Sequence, residues 1–192
     1  MKYDLTKKPS RSTQRTLQAF STTMFELLAQ KNFDLITVKE LCDLSNYPRA
    51  TFYNYFDDKY DLTNYCWYLL LQEVNFDDLF TNPKEPSEDK LIRFFDRVYY
   101  FFIERQDFIN NILIRNDNDS TLVANFKSYI RNYVQEAACK NFTEVNANIP
   151  LELLSDYHSN TILLILEWIF IKQHQTTIEQ AHTYLRYFIN RH

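Results

Sequence analysis

The chain has 192 residues, with no glycine and five prolines, and so excludes the glycine-rich loops that cradle phosphates in nucleotide-binding folds. Hydrophobic residues make up 45% and aromatics 17%, enough for a sizeable core, and long stretches without glycine or proline predict an all-α chain. The net charge of −4 is not that of a uniformly basic nucleic-acid binder, but its distribution is uneven: residues 1–65 hold nine Lys and Arg against eight Asp and Glu, and residues 66–192 hold twelve against seventeen.

Residues 1–10 read as a flexible basic arm carrying Lys2, Lys7 and Lys8 and ending in Pro9-Ser10. A helix is predicted over 11–30, with Leu17, Phe20, Met24, Leu27 and Leu28 on one face. Arg11 and Arg15 lie off that stripe, either as surface charges or within reach of phosphate. The pattern breaks at 31–34, where Phe33 plugs the small core. Residues 36–59, ITVKELCDLSNYPRATFYNYFDDK, then read as two short helices joined by a tight turn. Thr37 and Glu40 have the spacing of a reciprocal capping box, and Ile36 and Leu41 that of a hydrophobic staple. Val38, Leu41, Cys42 and Leu44 supply an apolar side.

Within the turn, Asn46 is the residue best able to adopt a left-handed conformation in a chain without glycine. Pro48 suits the first turn of the following helix. Phe52 and Phe56 face inward, while Arg49, Ala50, Tyr53 and Asn54 lie on the other side, with Thr51 and Tyr55 at its edges. Lys59 opens the next helix, a poor place for a cation unless it faces an external anion.

This stretch, continuing to ITVKELCDLSNYPRATFYNYFDDKYDL, resembles the DNA-binding domain of the TetR/AcrR family of bacterial transcriptional regulators over about residues 11–65. The resemblance implies a helix-turn-helix in which Thr37 and Lys39 approach the groove from the first helix. It implies base-facing roles for Arg49, Ala50 and Tyr53, and phosphate or groove-edge roles for Thr51, Asn54, Tyr55 and Lys59. Asn46 stands where that family usually has glycine, and Pro48 where it often has Ser or Thr.

Asp57 or Asp58 caps the next helix, predicted to run to about 76 and to link the head to the rest. A loop over 77–86 precedes a helix from Ser87 whose apolar face is Leu91, Phe94, Phe95, Val98, Tyr99, Phe102 and Ile103. A helix over 107–114 ends at Asn116-Asp117-Asn118-Asp119-Ser120, a polar turn and helix cap. It lacks the glycine, terminal glutamate and frame of a calcium loop. Another helix spans 120–139, using Leu122, Phe126, Tyr129, Ile130, Tyr133 and Val134, and 141–150 connect it onward.

The last two helices, over 150–172 and 177–190, carry more apolar surface than one chain needs. They are expected to close a four-helix bundle with a second copy. The candidate dimer contacts are Tyr157, Thr161, Leu164, Ile165, Trp168, Ile171, Leu185 and Phe188. The motif Y-H-x-N-T followed by L-L-x-L-E-W-x-F and T-x-E-Q-A also resembles members of the dihydroxyacetone-kinase-activator type, which dimerise through their last two helices.

No catalytic or metal site emerges, and no cofactor is expected: the four histidines lack metal-ligand spacing, and Ser155, Asp156, Tyr157 and His158 point in different directions on a helix. Cys42, Cys66 and Cys139 are odd in number and unpaired in spacing, consistent with reduced thiols in a cytoplasmic protein. No signal segment or membrane span is expected; Glu167 interrupts the most apolar run, 162–171. Trp67, Tyr68, Tyr99, Phe102, Tyr129 and Tyr133 serve either as ordinary packing or as walls of a pocket for an apolar or aromatic small-molecule effector.

The expectation is about nine helices: an arm (1–10), a DNA-binding head (11–58) and an effector-binding and dimerisation body (59–192). The function expected is a homodimeric, effector-responsive repressor of palindromic double-stranded operator DNA. The alternative is a protein-interaction module or coactivator whose body binds a partner regulator.

Overall fold

The structure is a computed structural model that describes residues 9–74, 87–141 and 149–189. Among them are nine α-helices and no strand: α1 (Arg11–Leu28), α2 (Val38–Ser45), α3 (Arg49–Tyr55), α4 (Lys59–Gln72), α5 (Ser87–Glu104), α6 (Gln106–Arg115), α7 (Thr121–Asn141), α8 (Leu151–Leu166) and α9 (Ile178–Ile189). A 3₁₀ turn, Phe33–Leu35, precedes α2, and a π-helical turn, Glu167–Ile171, extends α8. Lys2, Lys7 and Lys8 of the expected arm, the 77–86 loop, and 142–148 of the second connection lie outside the described residues.

The chain forms two compact units. The first comprises the residues through Glu73 together with Asn110–Val123, the end of α6 and the start of α7. Here α1 packs on α2 and α4, and α2 on α3. Leu17, Phe20, Met24, Leu27 and Leu28 of α1 are buried with Leu41, Phe52, Phe56 and Leu62. Phe20 is the hub. Its ring lies 5.3 Å from that of Phe52 and 6.2 Å from that of Phe56, both edge-on, and 5.5 Å from Tyr47. Edge-to-face contacts of this kind add directionality to the apolar burial. Leu44, expected on the apolar side of α2, is instead 61% exposed.

Asn46 closes α2 in the left-handed region (φ 59°, ψ 38°), its N–H donating to the Cys42 carbonyl. Pro48 stands one position earlier than expected: it is the N-cap of α3, and its side chain has no acceptor to offer the helix N–H groups. Asp58 caps α4 by accepting from the Asp61 N–H. That helix ends at Gln72, one turn short of the predicted 76.

The turn before α2 is held from two sides. Lys59 Nζ donates to the carbonyls of Phe33 (2.9 Å), Asp34 (3.1 Å) and Ile36 (3.1 Å) and sits 4.5 Å from the centre of the Phe33 ring. Partial burial lowers its pKa, while the Asp34 carboxylate acts in the opposite sense. The expectation that only an external anion would suit a cation at this helix start is therefore corrected: three backbone carbonyls take that role. The capping box is also only half formed. Thr37 accepts from the Glu40 N–H, but the Glu40 carboxylate turns to Lys31 Nζ at 2.6 Å.

The second unit comprises Val74–Ile109 and the residues from Ala124 onward, in which α9 packs against α5 and α8. Its core includes Phe94, Phe95, Val98, Phe102, Ile162, Ile165, Leu166, Phe170, Ala181 and Leu185. Ile103, expected in the apolar face of α5, is exposed. Thr177 and Gln180 form a complete reciprocal capping box at the start of α9. His182 Nε2 meets Asp96 Oδ1 at 2.5 Å, tying α9 to α5. The π turn is marked by the Lys172 N–H donating to the Glu167 carbonyl, five residues back.

Two pairs of substitutions test this local account. Asn46→Gly is expected to leave the melting temperature unchanged or raised, and Asn46→Ala to lower stability by about 1 kcal/mol, because a Cβ without a local hydrogen-bonding group is disfavoured at positive φ. Lys59→Met is expected to cost about 1–2 kcal/mol by removing charge-assisted hydrogen bonds. Lys39→Met, on the exposed side of α2, should stay within about 0.5 kcal/mol. Denaturant melts of the four variants and the parent measure both comparisons.

Candidate functional site

The outer face of α3 is the first candidate surface. Burial of Phe52 fixes the rotation of this short helix, so the residues around it must point away from the core. Arg49, Ala50, Tyr53 and Asn54 are exposed and Thr51 and Tyr55 half-buried, and from α2 Thr37 and Lys39 are exposed. Tyr53 is 45% exposed, its ring edge-on to Phe52 at 5.4 Å, an aromatic seated beside the core but presented outward. The exposed part of α3 thus combines the Arg49 guanidinium, the Asn54 amide and the Tyr53 phenol with Ala50, a small residue that permits close approach, and Thr51 and Tyr55 lie at its edges. That set can pair with base edges and phosphate oxygens.

Of the nine residues singled out in the sequence, six lie on α3, and Thr37 and Lys39 are exposed at the start of α2. Lys59 is the exception in chemistry: its three donors are directed at carbonyls of the Phe33–Ile36 segment, which leaves it as a brace for the turn. Arg11 and Arg15 are exposed at the start of α1. Cys42, on the buried side of α2, has its thiol pKa raised by desolvation, the Arg49 charge acting the other way; burial pushes the Cys66 thiol up as well.

The second unit has a groove of about 410 Å³ between α8 and α9, lined by Leu164, Ile165, Trp168, Thr183, Tyr184, Tyr187 and Phe188. Of the predicted dimer contacts, Leu164 and Trp168 are exposed, Trp168 at 43%, and Tyr157 and Phe188 are half-buried. The Tyr157 hydroxyl donates to the Phe188 carbonyl, bracing the two helices. Thr161, Ile165, Ile171 and Leu185 are buried within the chain itself, beneath that surface. Tyr184 and Tyr187, the latter 54% exposed, were missed. Their offset from buried Leu185 would have placed them on an outer face of α9. Trp168 stacks on His174, ring centres 3.6 Å apart, at the rim formed by the π turn.

The six predicted pocket aromatics are divided between the two units. Trp67 and Tyr68 belong to the first unit and Tyr99, Phe102, Tyr129 and Tyr133 to the second. Trp67 is buried, and Tyr65 stacks on Tyr68. Tyr99 is a core residue: its ring meets Phe95 and Phe170, its hydroxyl donates to the Thr176 carbonyl, and burial raises its pKa. Phe102 lines a cavity of about 40 Å³ with Phe126, Lys127, Ile130 and Glu167, where Lys127 and Glu167 pair at 3.0 Å. Among the described residues no group of three or more His, Cys, Asp or Glu side chains is placed to hold a metal ion, and no helix is long and apolar enough to cross a membrane.

Residues 23–66 match the family model for bacterial regulatory proteins of the tetR family, a segment that contains α2, α3 and the brace at Lys59. No curated protein matches the chain. Among solved structures, a TetR-family transcriptional regulator from Syntrophomonas wolfei superposes with a TM-score of 0.57 at 16% identity, covering 92% of this chain and 94% of that one. The regulator FadR from Bacillus subtilis, in complex with stearoyl-CoA, gives 0.55 at 11% identity over 90% and 97%. The dihydroxyacetone kinase operon activator DhaS gives 0.53 at 14% identity over 91% and 92%. DhaS is thus as distant as the others, and the expected special likeness of the C-terminal helices to that type is not singled out. The helix-turn-helix segment and the full-length similarities together give this chain the TetR/AcrR-family regulator fold.

Proposed function

We propose that the chain is a DNA-binding transcriptional regulator acting as a homodimer on palindromic DNA, with α3 as the recognition helix. The observation that carries this reading is the outer face of α3. Arg49, Ala50, Tyr53 and Asn54 are exposed together on a helix locked in rotation by Phe52, inside the segment that matches the tetR-family model. An exposed aromatic and guanidinium on a short, rigidly seated helix suit insertion in a major groove, where Arg pairs with guanine edges.

A twofold dimer supports the same reading, because it presents two such helices to half-sites about 34–36 Å apart or a multiple of that spacing. The groove between α8 and α9 suits that contact: its walls are almost wholly apolar, with Leu164, Trp168, Tyr184 and Tyr187 exposed along it. Patches of that character mark association surfaces. The ring-rich second unit favours an apolar or aromatic effector, and its action is repressive in this reading: ligand binding lowers operator affinity through different affinities for two arrangements of the dimer.

The decisive experiment selects duplexes from a random pool on the full chain and compares the enriched sequence with a scrambled one at several salt concentrations. Arg49→Ala is expected to lose about 1–3 kcal/mol on the enriched duplex while scrambled DNA is little affected. Equal losses on both would reassign Arg49 to phosphate. The dimer is tested by Trp168→Arg, which should weaken self-association about 30-fold or more in sedimentation, the scale of a central aromatic contact. Failure of the full chain to enrich any duplex, with capture of a second regulator instead, would favour the coactivator reading.

A further inference from the structure

We propose that Asn116, far from α3 in sequence, is a positioning residue for DNA recognition. From the corner between α6 and α7 it holds the turn that sets the start of α2. The inference rests on the DNA-binding reading above and assigns part of that function to a residue outside the helix-turn-helix segment.

Asn116 is only 1% exposed, and both ends of its amide are used. Oδ1 accepts from the Phe33 N–H at 2.9 Å, a link across 83 residues of sequence, and Nδ2 donates to the Ile112 carbonyl at 3.0 Å. Asn32 returns the contact: its Nδ2 donates to the Arg115 carbonyl at 2.9 Å, while its Oδ1 accepts from the Asp34 N–H at 2.8 Å. Each asparagine therefore satisfies backbone groups of the other's segment. The groups served are ones that helix ends leave without intrahelical partners: the first N–H of the 3₁₀ turn and the last carbonyl of α6.

A buried amide is costly unless its donor and acceptor are both matched, and an apolar side chain would fill the same space without that cost. The matched amide provides a single register between the corner and the turn. The turn in question lies immediately before the α2 cap, since Phe33–Leu35 is followed by buried Ile36 and then by Thr37. Lys59 grips the same segment through three carbonyls from α4. With Asn116 on one side and Lys59 on the other, the N-terminus of α2 has a fixed origin, and α3 packs on α2. Base-edge hydrogen bonds are sensitive to small displacements, whereas the number of neutralised phosphates is not. Loosening this turn should therefore blur discrimination and spare the salt dependence.

The test uses the full chain, the duplex enriched by the parent protein, and a scrambled duplex. Asn116→Leu removes both hydrogen-bonding ends at similar volume, and Asn116→Asp keeps an acceptor for the Phe33 N–H. Affinities are read at a temperature where melts show each protein folded, and amide exchange at Phe33 is read without DNA. Asn116→Leu is expected to lose protection at Phe33 and to lower the enriched-to-scrambled affinity ratio about three- to tenfold, the scale of one buried hydrogen bond. The slope of log affinity against log salt should be unchanged, and Asn116→Asp should recover most of the ratio. Lost protection with an unchanged ratio, or an unaltered Phe33 amide, would overturn the inference while leaving the DNA-binding reading intact. A ratio near one for the parent protein would overturn that reading, and this inference with it.

Discussion

The packing of Phe20 against Phe52 and Phe56 is the constraint on which the first unit depends. One α1 side chain, itself fully buried, contacts both inward residues of the segment from α3 to α4. Since adjacent helical residues diverge by about 100°, seating Phe52 determines where Arg49, Tyr53 and Asn54 project. Replacing an aromatic in such a core by alanine costs about 3–5 kcal/mol, much of a small domain's stability. Fold and candidate recognition face therefore have the same origin: the ring that stabilises the unit is the one that aims α3.

Around that aromatic core, polar groups settle according to which partner offers the stronger interaction. Glu40 could have completed a capping box by reaching the Thr37 N–H, but Lys31 offers a cation to the same carboxylate at 2.6 Å. At the start of α9 no such competitor enters, and Gln180, neutral and of similar reach, closes the reciprocal box with Thr177. Charge-assisted hydrogen bonds are shorter and stronger than neutral ones, so two caps of the same spacing end in different structures. Lys59 follows the same logic. A cation at a helix start opposes the helix dipole, and three carbonyls of the turn before α2 offset that penalty.

Helical periodicity made much of this legible beforehand. The α1 stripe, the Asp58 and Ser120 caps, the left-handed Asn46 and the inward Phe52 and Phe56 all follow from spacing and side-chain chemistry. What remained hidden depends on long-range partners. Leu44 and Ile103 carry the right spacing but are exposed, because periodicity reports which residues share a face and not how far a neighbour extends over it. Asn116 read as an ordinary turn residue, since its partner, the Phe33 N–H, lies 83 residues away and belongs to the backbone. The division of Trp67 and Tyr99 between two units was likewise invisible in composition. So was the π turn, which carries no proline or glycine to mark it.

Each unit presents large apolar side chains beside buried neighbours: Tyr53 next to Phe52, Leu164 next to Ile165, Trp168 next to Ile169, and Tyr184 next to Leu185. The buried member holds the helix in place, and the exposed one shows what the held surface offers. Scattered apolar residues on a protein surface need no explanation, but these occur as sets on rigid helices and differ in company. On α3 the aromatic stands with Arg49 and Asn54, groups that retain hydrogen-bonding capacity for a polar, anionic partner. Along α8 and α9 the lining of Leu164, Trp168, Tyr184 and Phe188 is nearly devoid of charge, which suits a surface that must lose its water completely. Burial thus fixes both faces in the same manner, and in the proposed reading the residues one position away from the core divide them into a surface for nucleic acid and a surface for a second chain.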